Sequence, residues 1–336
     1  MNANGSRKTV LITGASGLIG RALIGELLQS RNIEIKAHVR NSAQARAEIG
    51  NAVDLTRVRM HEIDFTRAGD SEMSSLPQGC DVVIHAAGLV HRPEASYQEY
   101  EVVNVRATQL LAQAAANQGV KAFVFLSSSA VYGPGPFDRI SEAATLNAKT
   151  PYAVSKLTSE KWLSSFKGIP KVVILRPSLV FGEGDRGNLL SLIKEIKNSR
   201  YRQLDDGSTG KSLIYSKDLA RAILLCLEKL PDDLHIFNVA NPEPVSMKVL
   251  AEEIAKCLKV DGKITSVPSP LARMGLKAAE IFMPGKLPTP EQLDKLTTTT
   301  TCSIAKLVAA TGFAPRNSLS NALAAEISWA TQANLI

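Results

Sequence analysis

Short apolar runs alternate with longer one-sided apolar stripes along the first half of the chain. Thr9-Val10-Leu11-Ile12 is an unbroken apolar run closed by Gly14, the pattern of a strand buried on both faces. Behind it, Leu23, Ile24, Leu27 and Leu28 fall on one stripe of a helix predicted over Gly20 to Ser30. Ile33, Ile35, Ala37 and Val39 then alternate with Glu34, Lys36 and His38, predicting a second strand that ends at Arg40. Cys80 to His85 predicts another strand, ended by Ala86-Ala87-Gly88. Val103, Ala107, Leu110, Leu111 and Ala114 mark a helix that stops near Gly119. Ala122 to Leu126 and Val172 to Leu175 are two more buried strands.

Strands alternating with helices imply βαβ units, hence an α/β fold: a doubly wound parallel sheet of the Rossmann kind. After Pro177 the pattern breaks into shorter pieces, at Gly182, Gly184 and Gly187 and at prolines 242, 244, 268, 270, 284, 288 and 290. Residues 1–177 are expected to form the dinucleotide-binding domain. Residues 178–336 are expected to form mainly a smaller α/β substrate domain, with His235 to Val239 as a strand that returns to the first sheet near 235–240. Thr297 to Thr301 reads as strand or loop.

Composition narrows the class. Of 336 residues 45% are hydrophobic and 21% charged, the balance of a soluble globular chain rather than a disordered one. The net charge of +7 comes without a Lys/Arg block of five or more, which speaks for scattered surface charge and for anionic small molecules over nucleic acid. Cys80, Cys226, Cys257 and Cys302 are widely spaced, without metal-ligand spacing, and read as reduced thiols of a cytoplasmic protein with no metal. The start lacks a signal-peptide core, and the amphipathic stretch Leu271 to Met283 is too short to span a bilayer.

The chemistry concentrates at three places. Gly14-Ala15-Ser16-Gly17-Leu18-Ile19-Gly20 joins the first predicted strand to the first predicted helix. There glycines permit a tight turn, close approach to a pyrophosphate and close helix packing, and the helix N-terminus favours phosphate. Arg40 stands where an acid would bind the adenosine ribose of NAD and where a cation accommodates a 2′-phosphate, so NADP(H) is favoured and NAD is the alternative. Tyr152-Ala-Val-Ser-Lys156 puts a phenol and an ammonium on one helix face, downstream of the strand-end serines Ser127, Ser128 and Ser129. Bringing a phenol from ~10 to ~7 takes roughly 4 kcal/mol, about what one ammonium at ~4 Å supplies at an effective dielectric of ~20.

TGASGLIG (13–20), DVVIHAAG (81–88), NVRAT (104–108), FLSSSAVYG (125–133), YAVSK (152–156) and LRPSLVFGEGD (175–185) together resemble the extended short-chain dehydrogenase/reductase family, in its NAD-dependent epimerase/dehydratase, nucleotide-sugar branch. The likeness covers nearly the whole chain. It implies that Tyr152 is the acid/base, that Lys156 lowers its pKa and holds the nicotinamide ribose, that Ser128 bonds the substrate oxygen and that Asn104 completes the tetrad. It implies cofactor contacts from Asp64 and Phe65 near the adenine, from the backbone at Ala86, Ala87 and Gly88, and from Pro177. Substrate contacts are implied at Ser128, Ser129, Asn188 and Lys211, the last in place of an arginine that grips a diphosphate.

The family's dehydratases carry an Asp-Glu pair directly after the catalytic hydroxyl. Ser129 and Ala130 stand there, so dehydration is not expected. The expected activity is reduction of a UDP-linked 4-keto-6-deoxy sugar, with a UDP-sugar 4-epimerase holding NAD as the alternative and a non-catalytic dinucleotide sensor as the minor one. The sugar is expected to be selected by loops around 89–97, 133–147 and 178–215, and the family likeness suggests a homodimer.

Overall fold

The computed structural model describes residues 7–49, 55–90, 95–260, 264–280, 294 and 296–336, the side chains of 275–280 excepted. The readings made above for residues 91–94, for Ile281 to Met283 and for prolines 284, 288 and 290 lie outside the described residues.

The first half runs β1 (Lys8–Thr13), α1 (Leu18–Leu27), β2 (Ile33–Val39), α2 (Ser42–Ile49), β3 (Val58–Glu62), α3 (Asp70–Ser75), β4 (Val82–His85), α4 (Tyr97–Tyr100), α5 (Ala107–Asn117), β5 (Ala122–Leu126), β6 (Phe137–Ile140), α6 (Pro151–Ser165) and β7 (Lys171–Pro177). The second half runs β8 (Leu179–Phe181), α7 (Asn188–Lys197), β9 (Gln203–Leu204), β10 (Gly210–Lys211), β11 (Leu213–Tyr215), α8 (Ser216–Lys229), β12 (Leu234–Val239), β13 (Val245–Ser246), α9 (Met247–Leu258), β14 (Ser266–Val267), α10 (Ser269–Glu280), β15 (Thr300–Cys302), α11 (Ala305–Thr311) and α12 (Leu319–Gln332).

Seven strands form one sheet in the order β12-β7-β5-β4-β1-β2-β3, every neighbouring pair parallel. Alternation along the strands splits the core between two faces. Val10, Ile12, Val124 and Leu126 pack on one side with Leu23, Leu27 and Ile223. Leu11, Phe123 and Phe125 pack on the other with Leu111, Ala115 and Leu163. Both faces being covered is why these strands read as continuous apolar runs. A third core joins Leu189 and Ile193 of α7, Leu250 and Ile254 of α9, and Leu323 and Ile327 of α12. Lys211 of β10 and Phe137 of β6 belong to a four-stranded sheet, β13-β10-β15-β6.

Two boundaries differ from the sequence pattern. The first helix starts two residues early, at Leu18, because Gly17 supplies the extended residue before it. The predicted helix around Val103 begins as a π-helical segment, Glu101–Arg106, and becomes α-helical at Ala107. The threonine run, expected as strand or loop, ends in a strand: Thr300 and Thr301 belong to β15. Sheet order reverses between β1 and β4, and in open α/β sheets ligands bind beyond the strand ends at that point.

Candidate active site

Gly14 turns the chain at the end of β1 with φ +68°, and Gly17 N donates to Gly14 O at 3.0 Å. A Cβ on Gly14 would lie 2.8 Å from Ala87 Cα, and one on Gly20 2.3 Å from Gly14 O. Strand, turn and helix therefore meet at a distance that only glycine allows. No described side chain caps the start of α1, Gly17 is exposed, and Ser16, Leu18 and Ile19 are partly exposed beside it. Such a helix N-terminus at the point of sheet reversal fits the diphosphate of a dinucleotide.

Around this turn, His38 stacks on Phe65 with ring centroids 4.1 Å apart, and Gly14 N lies 3.4 Å from its Nδ1. Burial pulls the His38 imidazole down to about 4. Phe65 is thus buried against His38. Asp64 Oδ1 accepts from Thr66 N at 3.0 Å and Thr66 Oγ1 at 2.8 Å. Partial burial pushes that carboxyl up, but the Thr66 bonds, Arg67 and Arg40 together hold it below its ordinary value. Arg40 is exposed at the end of β2.

Thr150 caps α6, accepting from Ala153 N at 3.2 Å, and Pro151 opens its first turn. This places Tyr152 against the end of β5, where its phenol is hydrogen-bonded with Ser128. Burial pushes the phenol above its ordinary value, while the Ser128 bond works the other way. Lys156 Nζ donates to Leu126 O at 2.7 Å and lies 4.8 Å from the Phe125 ring centroid. Burial pulls Lys156 down to about 8, opposed by Glu160. A Cβ on Gly88 would sit 3.1 Å from Lys156 Nζ and 3.2 Å from Asn104 Oδ1, so the lysine, the asparagine and the Ala86–Gly88 turn converge.

Asn104 does more than fill a polar site. Its amide donates to Ser155 Oγ at 2.9 Å and Leu89 O at 3.0 Å, and it accepts from Leu89 N at 2.7 Å. Behind it runs a buried chain of bonds. Ala87 N donates to Thr13 Oγ1, which pairs with His85 Nδ1 at 2.7 Å. His85 Nε2 meets Thr108 Oγ1 at 2.9 Å, and Thr108 donates to Asn104 O. Because the Thr108 proton is committed to Asn104 O, we assign the His85 proton to Nε2, leaving Nδ1 to accept from Thr13. Burial holds His85 neutral, as that assignment requires. The chain links the glycine turn, through Asn104, to Ser155 and Ser159 of α6.

Sequence reasoning missed a second buried network. Glu160, one turn after Lys156, accepts from Ser127 Oγ and from the Arg176 guanidinium, with Nη2 to Oε2 at 2.7 Å and Nε to Oε1 at 3.1 Å. Both side chains are 3% exposed. Arg176 also donates to Tyr132 OH at 2.9 Å, and Tyr132 donates to Asn238 Oδ1 at 2.7 Å. The available signal was an arginine behind the apolar run Val172 to Leu175 in the buried strand β7, since a buried charge needs a partner.

On the substrate side, Ser129 is half-buried at the start of a 3₁₀ turn, and Asn188 is exposed at the first position of α7. Lys211 Nζ donates to Thr298 O at 2.6 Å, and burial pulls it down to about 8. Pro177 ends β7, buried beside Val239 of β12. The structure therefore gathers Ser128, Tyr152, Lys156 and Asn104 at one place, while Asn188 and Lys211 stand on separate elements, α7 and β10. Among the described residues no cluster of His, Cys, Asp or Glu could hold a metal ion, and no helix is long and apolar enough to cross a membrane.

Comparison with known proteins follows this geometry. Over 276 residues the chain is 26% identical to an N-acetyl-alpha-D-glucosaminyl-diphospho-ditrans,octacis-undecaprenol 4-epimerase of Escherichia coli O157:H7, covering 79% of this chain and 77% of that protein. Over 279 residues it is 28% identical to a UDP-glucose 4-epimerase of Vibrio cholerae, covering 79% of each. The solved structure of a UDP-glucuronic acid 4-epimerase from Bacillus cereus, in complex with NAD, superposes with a TM-score of 0.78 at 22% identity, over 97% of this chain and 99% of that one, and so shares the fold. The family model described as NAD dependent epimerase/dehydratase matches residues 10–240, the stretch that holds the glycine turn, the converging tetrad and the returning strand. With more than half its length so matched, this chain belongs to the NAD-dependent epimerase/dehydratase family.

Proposed function

We propose that this chain is a UDP-sugar 4-epimerase, interconverting the two configurations at C4 of a hexose carried on a diphosphate. The observation that carries the reading is the Ser128–Tyr152 pair beside Lys156, followed by Ser129 and Ala130. That set moves one proton at one carbinol oxygen, and it lacks the carboxylates that eliminating water demands. The names of the relatives support the step from redox chemistry to epimerisation, since all three describe 4-epimerases of a diphosphate-linked sugar.

Tyr152 takes the proton of the C4 hydroxyl and returns it to the same oxygen once the keto sugar has turned over, so that hydride comes back to the opposite face of C4. Ser128 holds the oxygen while its charge develops. Lys156 supplies a fixed positive charge beneath the reacting atoms, and Asn104 keeps α6 and the 89 turn in register with it. The glycine turn and the α1 N-terminus would hold a nicotinamide dinucleotide, which when bound accepts hydride from C4 and returns it. Asn188 and Lys211 are proposed as contacts to the sugar diphosphate.

A reductase is the second reading, favoured by the exposed Arg40 at the end of β2, a cation suited to the 2′-phosphate of NADPH. Incubating the purified protein with UDP-glucose or UDP-N-acetylglucosamine, without added reductant, separates the two. Accumulation of the C4 epimer supports the proposal. Turnover only of a 4-keto substrate, with NADPH consumed one for one, refutes it.

A further inference from the structure

The strand-end rule that reads Arg40 as an NADP signal considers β2 alone, and the neighbouring strand changes it. Glu62, the last residue of β3, lies in register with Val39, the residue before Arg40. Its Oε2 accepts from Ser42 N, the first residue of α2, at 2.8 Å. That bond and a second one to the Ser42 side chain hold the carboxyl below its ordinary value, so it is ionised at neutral pH. Asn41 Oδ1 takes a further amide of the same helix start, Gln44 N, at 2.8 Å. The turn after β2, where a Rossmann fold reads the 2′ position of the adenosine ribose, is thus furnished with an acid as well as with Arg40.

We propose that Glu62 is the cofactor-specificity residue of this protein and selects NAD over NADP by holding a carboxylate on the Ser42 amide. This inference rests on the reading of residues 14–20 as a dinucleotide site. A 2′-phosphate needs donors at this turn, and Ser42 N and the Ser42 side chain, which stand beside Arg40, are already engaged by an anion. Entering would mean displacing that carboxylate or standing against its charge. A ribose 2′-hydroxyl is itself a donor and gains an acceptor from the same group. Asp64 is a second acid within electrostatic reach of Arg40.

Calorimetric titration of the full chain, stripped of copurifying nucleotide, with NAD⁺ and with NADP⁺ tests this without turnover. Wild type should bind NAD⁺ at least about tenfold tighter than NADP⁺. Glu62→Gln keeps an acceptor for Ser42 N but removes the charge, and should narrow that ratio about tenfold, chiefly by strengthening NADP⁺; like charges this close at a surface are worth that much. Glu62→Ala, which frees the amide altogether, should shift the ratio the same way and guards against a local rearrangement peculiar to glutamine. Tighter NADP⁺ than NAD⁺ in wild type, or a ratio unchanged in both variants, overturns the proposal. Failure of wild type to bind either dinucleotide overturns the site at residues 14–20 itself, and the proposal with it.

Discussion

In the proposed reaction a single phenol moves the proton in both directions and the glycine turn holds the dinucleotide, so Tyr152→Phe should lower kcat by ~10²–10⁴ while leaving dinucleotide affinity within a few-fold. Fluorescence titration and initial rates check the two halves. A rate above about a tenth of wild type would remove Tyr152 from the role. Ser128→Ala, which deletes one bond to the reacting oxygen, should cost less than the tyrosine change. Glu326 gives a residue-scale prediction about stability. It is fully buried on α12, Gly182 N donates to its Oε2 at 3.0 Å, and burial beside Asp185 raises its carboxyl to about 9 from an ordinary 4.5. Between those values the folded chain keeps a proton that the unfolded chain has released, so stability falls as pH rises across that window. Glu326→Gln removes this dependence, and its gain in Tm should be larger at pH 8.5 than at pH 5. Equal gains at both would show that the carboxyl is ionised in the fold.

Helix α6, which carries Tyr152 and Lys156, is held to strand β7 by the Glu160–Arg176 pair, buried on both sides. Removing one partner leaves the other charge stranded, and Glu160→Ala should cost ~3–5 kcal/mol in denaturant unfolding. The double change Glu160→Leu with Arg176→Met should recover most of that loss in stability. Its turnover should stay low, since Ser127 beside Ser128 loses its acceptor and Lys156 one turn away loses the negative charge that opposes its burial. Full activity in the double variant would make the pair structural only. Elements of this kind explain what could be read beforehand. Strands β1, β2, β4, β5 and β7 were visible because burial on both faces, or strict alternation, leaves a dense apolar record. β3, at the sheet edge, carries a single buried residue, Val58, and left almost none.

At the scale of the molecule, the glycine turn and the Tyr152–Lys156 spacing were legible because backbone conformation and helix geometry fix which residues can stand there. What could not be read was contact across elements: His85 joining Thr13 to Thr108, Glu160 reaching Arg176, and Glu62 crossing from β3 to α2. Each joins residues at least sixteen positions apart and is set by sheet register, which no single segment encodes. The same limit left the reductase reading leaning on Arg40, one residue of a turn that β3 completes. The epimerase reading makes a demand on the whole molecule, that hydride leave C4 and come back within one site. Deuterium at C4 of a UDP-hexose substrate follows this directly. The C4 epimer should form without added reductant and retain its deuterium at C4. Loss of the label from C4, or a product that forms only as NADPH is consumed one for one, would contradict it.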